Sequence, residues 1–178
     1  MKEYISISCL PIPTFIEGNH VTFHKGDLHP NRTNLQYFVL MFMTEGCLYI
    51  AEDGTNYSIK KGEMFILQPR HHHYSWKPMD QQTSYYWIHF FVSGEWQQSA
   101  SPVSLHSAIE VPTLHYRTPT LTLHLLKHGR VPDFSKTIAA TQLIFNESTD
   151  NPGFGFWRSQ QLFIDVLQSI QVHSLEES

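Results

Sequence analysis

Short apolar runs punctuated by turn residues recur from residue 21 to residue 92, and that rhythm predicts strands. Residues 21–24 (VTFH) read as one strand. Residues 35–44 (LQYFVLMFMT) are apolar on both alternating faces, as in a central strand covered on both sides. Residues 47–52 and 55–59 form a hairpin through Asp53-Gly54, where both central positions need positive φ. Lys61-Gly62 turns the chain again, and residues 63–68 form the next strand, ended by Pro69. Residues 72–76 resume extended, residues 77–80 (KPMD) turn, and residues 83–92 return as a long aromatic strand. This spacing of short strands implies a mainly β fold, a small antiparallel barrel or jelly roll.

The pattern changes near Val111. Thr118 and Pro119 read as the cap and first residue of a helix running to His128, stopped by Gly129. Asp133 caps a second helix over residues 134–146, which Asn151-Pro152-Gly153 terminates. Residues 156–173 form the longest helix, with Trp157, Leu162, Phe163, Ile164, Val166, Leu167 and Ile170 apolar. That arc is wider than one packing stripe needs. Either one side docks on the barrel while the other meets a second copy, or neighbours bury it all. At the N-terminus, Pro11, Pro13 and Pro30 with Gly18 and Gly26 predict an arm and short strands rather than a helix. The expected layout is an arm over residues 1–20, a barrel over 21–115, helices over 116–174, and the start of a linker over 175–178.

Composition narrows the function. With 178 residues, 41% hydrophobic and 16% charged, the chain is one globular domain with at most a helical annex. No apolar run approaches a membrane span, and the N-terminus lacks a signal-peptide pattern. Cys9 and Cys47 read as reduced thiols of a cytoplasmic protein. The net charge is −4, and the bases Arg117, Lys127, Arg130 and Lys136 are scattered. This segment does not itself read DNA.

Strand alternation sorts the candidate chemistry. Thr83, Tyr85, Trp87, His89 and Phe91 share one face, aromatic with hydrogen-bonding tips, suited to a pocket wall. Ser84, Tyr86, Ile88, Phe90 and Val92 share the other, suited to contact with the C-terminal helices. His72, Tyr74 and Trp76 lie opposite His71, His73 and Ser75. His71 and His73 have metal-ligand spacing, but residues 37–49 supply no histidine and only Glu45 as an acid, so no native metal is expected. No nucleophile elbow, phosphate loop, dinucleotide fingerprint or zinc-protease motif is present, and no catalytic residue is assigned.

Gly62-Glu63, Leu67-Gln68-Pro69, His72-His73-Tyr74, Lys77-Pro78 and Tyr86-Trp87-Ile88-His89-Phe90 resemble the second half of the AraC-family sensor domain. Thr44-Glu45-Gly46, Asp53-Gly54 and Lys61-Gly62 resemble its earlier glycine-punctuated strands, and Arg32 sits near a position where many members keep an arginine. Arg70 departs from the pattern, standing where many members have glycine. The resemblance covers residues 20–92 and implies a cupin-like barrel followed by helices. It further implies a small effector in the barrel, often a sugar, with no cofactor, and a homodimer formed through the C-terminal helices. DNA would then be reached only through a helix-turn-helix domain absent from these residues, with no membrane involved. Carried over by position, the ligand-binding residues are Arg32, His72, Tyr74, Tyr85, Trp87 and His89. The dimerisation residues are Trp157, Leu162, Phe163, Ile164 and Leu167, and an arm bearing Tyr4, Phe15 and His20 would close over the ligand. The competing expectation is a free-standing cupin enzyme, a sugar isomerase or oxygenase holding a divalent metal through His71, His73 or His89.

Overall fold

The period-two segments fold as antiparallel strands in a computed structural model that describes residues 2–107, 122–150 and 153–176. In chain order these are β1 (Tyr4–Ser8), β2 (Thr14–Phe23), β3 (Phe38–Glu45), β4 (Cys47–Glu52), β5 (Thr55–Lys60) and β6 (Glu63–Leu67). After them come β7 (His73–Ser75), β8 (Thr83–Phe91), β9 (Trp96–Ser99), β10 (Thr122–Leu126) and β11 (His128–Arg130). Helices α1 (Phe134–Asp150) and α2 (Gly155–Glu176) complete the described chain.

Among the described residues, the largest sheet has the order β11-β6-β3-β8-β2. It forms the middle layer of a cupin-like barrel. A second sheet, β5-β4-β7, covers one of its faces, and a third, β10-β1-β9, lies with the helices on the other. The doubly apolar segment accordingly sits at the centre. Phe38, Leu40 and Phe42 of β3 join the helix-side core, while Val39, Met41 and Met43 join the core toward β4. Each strand residue thus has a buried partner whichever way it points.

The turns obey backbone sterics. Asp53 (φ 47°) and Gly54 (φ 83°) close a two-residue hairpin between β4 and β5, with Glu52 paired to Thr55. Arg70 adopts φ 67°, a region that favours glycine, which accounts for glycine being the commoner residue in the pattern it departs from.

Three expectations change. Residues read as a helix ending at Gly129 instead form β10 and β11, while Thr118 and Pro119 lie outside the described residues. The alternation Leu121-Thr122-Leu123-His124-Leu125 carries the strand signal that the cap reading overrode. The segment expected as an arm is two strands. Ile5 and Ile7 of β1 are fully buried between β10 and β9, and β2 extends for ten residues along β8. Finally, α1 starts at Phe134 after Asp133 as expected but runs on to Asp150, and among the described residues the helical part begins there rather than within the span from residue 116. The break near Gly153 stands between α1 and α2.

The three sheets meet at one buried ion pair. The Lys127 ammonium, 1% exposed, donates to the Glu52 carboxylate and to Gln68 Oε1 at 3.0 Å. The backbone N–H of Gln68 donates to the other Glu52 oxygen at 2.7 Å. Removing one partner strands a buried charge. Replacing Lys127 with Met is expected to cost roughly 3–5 kcal/mol of stability in a urea titration. A loss below about 1 kcal/mol would mean that water reaches the carboxylate.

Candidate functional site

A cavity of about 310 Å³ opens on the face of the central sheet away from the helices. β8 supplies Tyr85, Trp87 and His89 as its floor, and β3 supplies Val39 and Met41. Period-two geometry is the reason: these residues alternate with Tyr86, Ile88 and Phe90, which belong to the helix-side core. The rings are close-set. His89 lies 4.5 Å from Trp87 and 4.3 Å from Tyr37, and Phe23 stacks on Tyr85 at 5.9 Å.

Residues 24–35 form a strap across the mouth. Gly26 N–H donates to Met79 O at 2.8 Å, and Met79 N–H donates to Asp27 O at 2.9 Å. His29 N–H donates to Ser75 Oγ at 2.6 Å, and Arg32 exchanges a pair of 2.9 Å backbone bonds with His73. At its end, Arg70 N–H donates to Leu35 O at 2.7 Å. The strap therefore hangs from the β7 side, and it brings His29 and Arg32 to the cavity. The closing segment foreseen at residues 1–20 is not what covers it. Tyr4 and Phe15 are core residues, and the exposed His20 rests on Tyr86 at 4.6 Å.

Of the residues singled out as a ligand site, the cavity gathers Arg32, Tyr85, Trp87 and His89, but not His72 or Tyr74. Strand parity is the cause. Arg70 bends the chain, and β7 resumes with His73 opposite Glu52, so His73 points inward and its neighbours outward. His72 instead donates through Nε2–H to Asn31 Oδ1 at 2.7 Å and lies 4.9 Å from the Tyr74 ring. His71 pairs with Asp53 Oδ2 at 2.7 Å, outside the cavity. His29, Tyr37 and Glu17 were not foreseen. The strap brings in His29 and the bulged β2 brings in Glu17 through long-range contacts that no local period marks, whereas Tyr37 shares the alternation of Val39 and Met41 just ahead of β3.

The model of the family described as "AraC-like ligand binding domain" matches residues 20–130. The chain belongs to that family. It is also 41% identical over 80 residues to an uncharacterised HTH-type transcriptional regulator, YisR, of Bacillus subtilis strain 168. That match covers 45% of this chain and 28% of the regulator, so the chain spans well under half of its relative. Partial likeness extends to the cupin domain of Schizosaccharomyces pombe Cnp3 (TM-score 0.38, 15% identity, 40% of this chain and 53% of that one). A cupin 2 conserved barrel domain protein of Salinispora arenicola CNS-205 is similar at TM-score 0.37 and 17% identity, over 43% and 62% of the two chains.

The AraC-like cavity is polar yet sparsely charged. Burial pushes His29 down to about 4, helped by His73, and burial with the Arg32 cation pushes His73 down to about 4. Burial also lowers His89, opposed by its 3.0 Å contact with Glu17, and raises the Tyr85 hydroxyl. The three imidazoles are neutral at pH 7. Among the described residues no group of three or more His, Cys, Asp or Glu is placed to hold a metal ion. His73 and His89 line the cavity without carboxylate ligands converging between them, and Glu17 is tied to His89.

The histidine shifts set an acid limb. Unfolded histidines take protons near 6.5, whereas His29 and His73 resist protonation down to about 4. Stability is fully present above 6.5 and is lost as pH falls from 6.5 toward 4. Chemical denaturation at stepped pH should show this slope, and a His29→Asn, His73→Asn double variant should flatten it.

Proposed function

We propose that this domain is the effector-sensing and dimerising part of an AraC-type transcription regulator. A small polar ligand, a sugar, binds in the barrel without turnover. The observation that supports this most is the cavity itself: an aromatic floor of Trp87 and Tyr85 beneath hydrogen-bonding groups from His29, His73 and Arg32. Sugar rings present just such an apolar face and a hydroxyl edge. The transcription-regulator relative supports a regulatory rather than catalytic role. DNA is contacted through a further domain, and the protein works in the cytoplasm.

A saturating ligand at a hundredfold excess over its Kd contributes about 2.7 kcal/mol. For a domain of this size that raises the melting temperature by about 5–10 °C. A panel of pentoses, hexoses and their derivatives should contain at least one compound giving this saturable rise. No response across the panel would remove sugars as the effector class.

Dimerisation is assigned to the outer face of α2. Of the residues expected there, Trp157 is 67% exposed, and Leu162 and Ile164 are half-buried at the flank. Phe163 and Leu167 are buried in the domain's own core, between β-sheet and helix, and leave the dimer set. Trp157, Val172 and Leu175 mark the solvent face. Trp157→Glu should weaken association by at least about thirtyfold, the loss of one aromatic anchor. Light scattering would read this as a shift from dimer to monomer, and an intact dimer would clear this face of the role.

A further inference from the structure

Arg32 brings a cation to the cavity. Among the described residues no Asp or Glu pairs with it, and its guanidinium lines the mouth of the cavity. Its root is fixed, because the backbone of Arg32 is bonded in both directions to His73 at 2.9 Å. Beside it His73, only 2% exposed, leaves Nδ1 buried with no hydrogen-bond partner. A buried ring nitrogen in that state costs free energy until something meets it. One carboxylate lines the cavity, Glu17, but its Oε1 is engaged by His89 Nδ1 at 3.0 Å and its side chain is 61% exposed. Burial holds the His29 and His89 imidazoles low and the Tyr85 hydroxyl high, so these groups add no charge at neutral pH. The cavity therefore offers one positive fork that no carboxylate meets among the described residues, over an aromatic floor.

We propose that the cavity selects an anionic, hydroxyl-bearing small molecule of the sugar-acid class. Its carboxylate pairs with Arg32, its hydroxyls meet the neutral histidines of the wall, and its carbon face lies on Trp87 and Tyr85. The inference rests on the cavity being the effector site, and it narrows the ligand from any sugar to an acidic one. A guanidinium holds a carboxylate through two parallel charge-assisted hydrogen bonds, each about twice as strong as a neutral one. A neutral sugar could use only single hydrogen bonds there, leaving the charge uncompensated. The neutral histidines add hydrogen bonds without adding a second charge, so the preference is for one acidic group rather than two.

Calorimetric titration of the protein with D-galacturonate, D-gluconate, D-galactose and D-glucose at fixed ionic strength tests this. Each acid should bind at least about tenfold more tightly than the neutral sugar of the same skeleton, a gap of about 1.4 kcal/mol. Arg32→Gln, at an exposed side chain, should abolish that gap by weakening the acids at least about tenfold more than the neutral sugars, with circular dichroism verifying the fold. Neutral sugars binding as tightly as the acids would overturn the acidic class while leaving the effector site standing. An acid preference that survives in Arg32→Gln would overturn the role of Arg32. Silence from all four would overturn the sugar-acid class, and the melting response to the wider panel would then decide separately whether the cavity is an effector site.

Discussion

The buried Lys127–Glu52 pair is the constraint on which the rest of the barrel depends. Lys127 lies between β10 and β11, where the chain leaves one sheet for another. Its N–H donates to Glu3 O at 2.8 Å and its carbonyl accepts from Ile66 N–H at 2.9 Å, so the backbone stitches β1 and β6 together. The ammonium then reaches the end of β4, with the Phe65 and Tyr57 rings 5.2 and 5.8 Å away. Taking two charges out of water costs several kcal/mol, which only close pairing and further hydrogen bonds offset. Gln68 supplies both, accepting from the ammonium and donating its N–H to the carboxylate. With Glu52 fixed, the next residue is fixed too. The Asp53 carboxylate accepts from His72 N–H at 2.8 Å and holds the His71 ring, while Asp53 N–H donates to His72 O. That clamp sets the parity of β7, hence the inward turn of His73 and the position of the strap bonded to it. A charge pair in the core thereby decides which imidazole faces the cavity.

Much of this was legible in the sequence wherever a residue's role follows from its near neighbours. The doubly apolar run centred on β3, the Asp53-Gly54 hairpin and the alternation of β8 all express local rules. Alternation in β8 even separates the cavity wall from the helix contact, because one sheet forms the boundary between two cores. Roles set by distant partners were not legible. Lys127 looked like one of several scattered bases, since nothing nearby announces Glu52, 75 residues away. His72 and His73 differ only in which side of a bend they resume on, and a one-residue shift exchanges every face. The wide apolar arc of α2 divides in the fold: Phe163, Val166, Leu167 and Ile170 repeat at helical spacing toward the core, while Leu162 and Ile164 flank them. An arc read from sequence does not say which half the domain keeps for itself.

Cavity and helices share a single layer, and its packing leaves little room for independent movement. β8 presents Trp87 and His89 to the cavity, while its neighbour Tyr86 takes a 2.7 Å hydrogen bond from Gln142 Nε2 of α1. On β2, Gly18 is paired with Ile88 and lies under the Phe145 ring. A Cβ at Gly18 would stand 2.2 Å from Phe145 Cε1, so the missing side chain is what lets α1 rest directly on the sheet. The adjacent residue, Glu17, reaches the other way to His89 on the cavity rim. Close contacts of this kind couple the position of the helix to that of the sheet. His89 and Trp87 thus share their strand with Tyr86, and β2 pairs with that strand at Gly18, so the wall of the cavity and the seat of α1 are two faces of the same pair of strands.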